Sequence, residues 1–245
     1  MKHFLAAFAL IILLHPVNAA SEQVLSVGTA AGPPYVTYQG RPGFLDVLLK
    51  EALGEHGMVA DVHSLPGERA LINANEGIED ADAMRIPGIE KKYTNLLRVP
   101  TSFHTMEFVA FAHNPLVEIR DESDFDNFEV GIIRGWKIYE DMMHGKRNVT
   151  IVNDARQLFH LLVTDRIELA LFERWQAAPI VAEMGEEVVT LPPILAAFPM
   201  YMYLNDKHAD LVPKIDRAFQ RMNSDGSLDV INTQTLDLWK RYISQ

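Results

Sequence analysis

Glu107-Phe108-Val109-Ala110-Phe111-Ala112, closed by His113-Asn114-Pro115, is the stretch on which the fold turns. It is apolar, short and bounded by a turn signal, so it reads as an extended strand. A second extended run, Met200-Tyr201-Met202-Tyr203-Leu204, comes late in the chain. Between the two sits one α/β block, and before the first sits another. Beyond the second run the pattern is wholly helical. If those last helices pack back on the first block, the chain crosses between two lobes twice. The spacing therefore predicts an α/β protein of two lobes, with two hinge crossovers and a ligand cleft between them.

Working outward, Val24 to Gly28 reads as a strand that ends in the turn-prone Gly32-Pro33-Pro34-Tyr35. Gly43-Phe44 opens a helix whose Leu45, Leu48, Leu49, Ala52 and Leu53 form one buried stripe. Val59 to His63 resumes as a strand, a helix runs from Glu68 to Glu76, and Ala81 to Met84 is a short strand. In the second block Val130 to Ile133 is a strand ending at Gly135, and Trp136 to Met143 is helical. Val149 to Val152 is a strand, with Asp154 placed to cap the helix Ala155 to Thr164. Leu169 to Phe172 is another strand, and Trp175 to Met184 is a weak helix carrying Pro179. Leu211, Ile215, Ala218, Phe219 and Met222 make a stripe ended by Asp225-Gly226. A last helix carries Ile231, Leu238, Trp239 and Tyr242. The expected division is 20–110 for the first lobe, 111–202 for the second, and 203–245 returning to the first.

The N-terminus says where these lobes work. Lys2 and His3 precede the apolar run Phe4 to Leu14, and Val17-Asn18-Ala19 offers small residues for cleavage. That is the layout of a secretory signal peptide over 1–19. The apolar run is well short of the roughly twenty residues that span a bilayer. The mature product is expected in the periplasm, without membrane insertion and as a monomer. Removing Lys2 takes the net charge from -11 to -12, which argues against nucleic acid and anionic membrane as partners. Cysteine is absent, so no disulfide framework and no Cys nucleophile exist. With 48% hydrophobic and 22% charged residues, the chain is globular in composition and not disordered.

The order of these pieces resembles the bacterial extracellular solute-binding proteins of polar amino acid ABC importers. The resemblance rests on Val27-Gly28-Thr29 with Pro33-Pro34-Tyr35, on Gly43-Phe44 with Asp46-Val47-Leu48, and on Val130-Gly131-Ile132 with Gly135. Asp165-Arg166-Ile167-Glu168-Leu169-Ala170 and Leu211-Val212-Pro213-Lys214-Ile215 continue it. It implies a periplasmic-binding-protein-like fold over nearly the whole mature chain. Three usual contact positions depart from the pattern. Glu90 stands where an Arg clamps a ligand carboxylate, Trp136 where a small hydroxyl residue follows the glycine, and Glu173 where an Asp meets a ligand amine. This marks a divergent branch.

Six residues are candidates for ligand contact. Arg85 ends a strand before Pro87-Gly88, where a guanidinium can hold a carboxylate in two hydrogen bonds or pair with Glu79, Asp80 and Asp82. Arg69, at a helix start, is either a second such group or a solvated charge. Arg134 and Trp136 flank Gly135 at a strand-to-helix turn that suits an anion, though Trp136 also suits helix-to-sheet packing. Tyr35 is placed to stack on a ligand or to fill the core. Glu173 is placed to meet a cation or to pair with Arg174. Arg85 and Arg134 are expected to face each other across the cleft. HExxH and GxSxG are both absent, so neither a metal, a cofactor nor a catalytic centre is expected. The reading is a solute-binding protein that captures a small polar or anionic, amino-acid-like molecule for a membrane permease. The alternatives are a sensing module for a membrane receptor and an exported enzyme resembling cyclohexadienyl dehydratase.

Overall fold

A computed structural model describes residues 23–242; the expected signal peptide, Met1 to Ala19, lies outside the described residues. The first block runs β1 (Gln23–Thr29), α1 (Phe44–Gly54), β2 (Met58–Ser64), α2 (Gly67–Asn75), β3 (Ala81–Arg85) and β4 (Leu96–Arg98). Then come β5 (His104–Ala112), β6 (Val130–Ile133), α3 (Lys137–Met142), β7 (Val149–Val152), α4 (Ala155–Val163), β8 (Leu169–Glu173) and α5 (Arg174–Met184). The chain ends with β9 (Val189–Asn205), α6 (Val212–Asp225), α7 (Ser227–Thr235) and a 3-10 turn, Asp237–Tyr242. No described helix is long and apolar enough to cross a membrane.

The strands lie in the order β2-β1-β3-β9-β5-β8-β6-β7, with β4 also on β9. Parallel pairing holds β1 to β2 and β3, and β6 to β7 and β8. The two long strands β5 and β9 run antiparallel to each other and to their neighbours. Each serves two cores. Met106 of β5 and Met200, Met202 and Leu204 of β9 lie in a cluster with Leu25, Phe44, Leu48 and Phe219. Val109 and Phe111 of β5 lie instead with Leu158, Phe159 and Phe172 on one face of the second sheet. Ala110 and Ala112, pointing the other way, meet Val130, Tyr139 and Leu191. The alternation is the period-two consequence of a pleated strand. The result is the two-lobed α/β architecture with helices on both faces of each sheet half.

Helix α6 places Leu211, Ile215, Ala218, Phe219 and Met222 in the cluster that holds Leu45, Leu48 and Leu49 of α1. Gly226 closes it in the left-handed conformation, φ 80°, which glycine adopts at little cost. The final turn behaves differently from the rest of the C-terminal helices. Trp239 packs on the cluster that holds Val181 and Ala178 of α5, and the Val188 amide donates to the Tyr242 carbonyl at 3.3 Å.

Candidate functional site

The loop after β1 is held by the start of α1. The Phe44 and Leu45 amides donate to the Pro34 and Tyr35 carbonyls at 3.0 and 2.8 Å. A Cβ on Gly43 would stand 2.4 Å from the Val36 carbonyl carbon, so only glycine permits this approach. Asp46 locks the same corner by accepting from the Gly43 amide at 2.8 Å and the Thr37 hydroxyl at 3.0 Å. Tyr35 is thereby fixed, fully buried, with its ring edge on Phe44 and His104.

The Tyr35 hydroxyl donates to Glu173 Oε1 at 2.9 Å and lies 3.0 Å from His104 Nε2. Glu173 ends β8, and its other oxygen accepts from the Gln176 amide at 3.0 Å, capping α5. Gln176 in turn accepts from the Gly32 amide at 2.9 Å. A strand end of the second block is thus tied twice to the loop after β1. Burial raises the Glu173 carboxyl from its ordinary value to about 7, even though the Gln176 amide and Tyr35 favour its charge. Burial lowers His104 to about 4, so it is neutral at pH 7. Tyr35 is pushed up by burial and by the neighbouring Glu173.

Arg85 has a partner inside its own block. Its Nη2 lies 2.8 Å from Asp82 Oδ2, its Nε donates to the same oxygen at 3.0 Å, and Nη2 also donates to the Gly67 carbonyl at 2.9 Å. Residues three apart on a regular strand point to opposite faces. Here Met84 takes a left-handed φ of 62°, and the pairing with β9 shifts register between Asp82 and Arg85. That irregularity turns Arg85 back onto Asp82. Asp82 is fully buried, and burial raises it to about 6 against the pull of Arg85.

The other candidates are dispersed. Arg134 is exposed, with Nε 3.5 Å from Asn153 Oδ1. Arg69 is exposed on α2. Trp136 is half-buried in an aromatic group, its ring centroid 4.7 Å from Phe172 and 6.1 Å from Tyr139. Glu90, at the departed Arg position, accepts from the Gly88 amide at 2.9 Å and the Tyr203 hydroxyl at 2.8 Å. It closes its own loop. Of the six candidates, the structure brings Tyr35 and Glu173 together.

Sequence reasoning missed the open space beside that pair. A cavity of about 400 Å³ lies between the loop after β1 and the carboxyl ends of β7 and β8. Gly32, Pro33 and Tyr38 form one wall, and Phe172, Pro179 and Ile180 form the other. Asp154, Arg156 and Glu183 supply its charge, with Arg156 paired to Glu183. Arg85 and Arg134 do not line it. The signal was present in the strand ends Val152 and Phe172, because open α/β sheets bind ligands at their carboxyl edges.

No family model matches the sequence, and no curated protein does. Solved structures do. The chain is similar to a probable amino-acid ABC transporter extracellular-binding protein from Bacillus subtilis, at 17% identity and a TM-score of 0.72, over 88% of this chain and 99% of that one. A histidine kinase sensor domain with similarity to periplasmic binding proteins matches at 16% and 0.68, over 88% and 96%. An ancestral amino acid-binding protein, a precursor of cyclohexadienyl dehydratase, matches at 16% and 0.66, over 87% and 95%. At such identities the likeness establishes the fold, that of the two-lobed periplasmic binding proteins.

Proposed function

We propose that this chain is an exported solute-binding protein that captures a small, amino-acid-like molecule between its lobes and presents it to a membrane transporter. The first lobe comprises 20–110 and most of 203–245, whose final turn reaches the second lobe through Trp239 and Tyr242, the second lobe comprises 111–202, and β5 with β9 forms the hinge. The observation that carries the reading is the Tyr35–Glu173 contact at 2.9 Å, where the loop after β1 meets the end of β8 beside an open cavity. A ligand held there touches both lobes and favours the closed arrangement by its differential affinity. The preference for an anionic group expected at Arg85 is not carried forward, since Asp82 already engages that guanidinium. Binding without turnover is the activity proposed.

The test is a thermal-shift screen of the mature protein against amino acids, small carboxylates, amines and sugars. A ligand at a hundred times its dissociation constant adds about 2.7 kcal/mol. At roughly 2–4 °C per kcal/mol for a chain of this size, that is a rise of about 5–11 °C. A flat screen across all classes contradicts the reading. The likeness to a histidine kinase sensor domain favours a second reading, in which the liganded protein engages a receptor. Stimulation of reconstituted transport by the liganded protein separates the first from the second. Export is checked by N-terminal sequencing, which should begin within a few residues of Ala20.

A further inference from the structure

We infer that the ligand of this protein has a large apolar body, aromatic or branched aliphatic, and a small zwitterionic head. The inference rests on the solute-binding reading and names the class of solute. Its first support is what the strand-end charges are doing. Both oxygens of Glu173 accept hydrogen bonds from the protein, and Arg85 is held by Asp82 and the Gly67 carbonyl. Glu90 closes on the Gly88 amide and Tyr203. Glu173 and Asp82 are fully buried, and freeing either from its partner leaves a buried group uncompensated. A charged side chain on the ligand therefore finds its natural partners engaged.

The second support is the cavity. Its volume of about 400 Å³ is in the range of small-molecule sites, and Pro33, Phe172, Pro179 and Ile180 give it apolar walls. The third is the charge beside it. Arg156 and Glu183 pair with each other there, and the Arg156 side chain is 64% exposed. A solvent-accessible ion pair of this kind adds little to stability, so a ligand can exchange it at small cost. A carboxylate taken by Arg156 and an ammonium taken by Glu183 reproduce both charges. The apolar body then covers Phe172 and Ile180.

Calorimetric titration with L-phenylalanine and L-leucine, against L-glutamate, L-glutamine and L-arginine, tests this. Binding of either apolar amino acid, and at least roughly ten-fold weaker binding in Ile180→Lys, is the expected result, because a charge placed in an apolar cavity opposes burial of an apolar body. Ile180 is only half-buried, and an unchanged melting temperature of the free variant shows that it folds. Arg156→Gln should weaken the same ligands while leaving the fold intact. If a polar or charged amino acid binds and Ile180→Lys leaves its affinity unchanged, the inference is overturned while the solute-binding reading stands. If the apolar amino acids fail and the whole screen is flat, both fall.

Discussion

Asp82 and Glu173 are both fully buried carboxyls near the ends of strands, one in each block, and both titrate far above an ordinary acid, at about 6 and about 7. Their partners differ. Asp82 is answered by Arg85, three residues along in the same strand, whereas Glu173 is answered by Tyr35, from the other block. The difference assigns them different work. An acid neutralised within its own lobe holds that lobe's fold. With the proposed lobes, an acid satisfied from the other block makes the relative position of the lobes part of its own solvation. Burial sets the demand in both cases, and the source of the partner decides whether the demand acts on folding or on closure.

The largest expected effect sits on the folding side. Arg85→Ala leaves Asp82 buried without its cation, and denaturant unfolding should show a loss of about 3–5 kcal/mol. A loss under about 1 kcal/mol would reduce the pair to an ordinary surface contact. Next comes the pH response. Glu173 rises from 4.5 unfolded to about 7 folded. The folded state therefore binds more protons between those values, and stability falls as pH rises through that window. The size is on the order of 3 kcal/mol, complete above pH 7 and absent below about 4.5. Glu173→Gln mimics the protonated form. It should match the wild type at pH 4 and exceed it at pH 8, where melting curves of the two are compared. Asp82 adds a slope of the same sign that both proteins share.

Tyr35→Phe removes the hydroxyl and leaves Glu173 one donor short, costing about 1–3 kcal/mol at neutral pH. Unlike Arg85→Ala, it should also enlarge the radius of gyration in small-angle scattering, because the contact spans the lobes. An unchanged radius would place Tyr35 with the folding group. Arg134→Ala is the smallest case. The side chain is exposed and its contact with Asn153 is 3.5 Å, so stability should stay within about 0.5 kcal/mol.

The periodic elements were legible in the sequence, since Leu45, Leu48, Leu49, Ala52 and Leu53 bury as one stripe where the spacing puts them. The expected strand Met200 to Leu204 is instead the end of a strand that begins at Val189. Pro192, Pro193 and Pro199 hid its length, because proline within a run argues against a strand. The structure accommodates Pro192 and Pro193 where the register with β5 shifts between Phe108 and Ala110. Leu96 to Arg98, only three residues, gave no period to read. The helix around Pro179 is continuous from Arg174 to Met184. The last helix stops at Thr235 and passes into the 3-10 turn that carries Leu238, Trp239 and Tyr242.

The site was legible as residue types and not as partners. Tyr35 and Glu173 stood out singly, but 138 positions separate them and no local pattern joins them. For Arg85 the rival partner Asp82 was visible. What decided between ligand and partner was the left-handed turn at Met84, a conformation that a non-glycine side chain does not announce.

Titration calorimetry of the wild type and Tyr35→Phe, with the ligand identified by the screen, tests the account most directly. A single site per chain is predicted, with a dissociation constant that changes in Tyr35→Phe, because ligand binding and the Tyr35–Glu173 contact both bear on the same closure. Identical affinities in the two proteins would mean that this contact has no part in ligand capture.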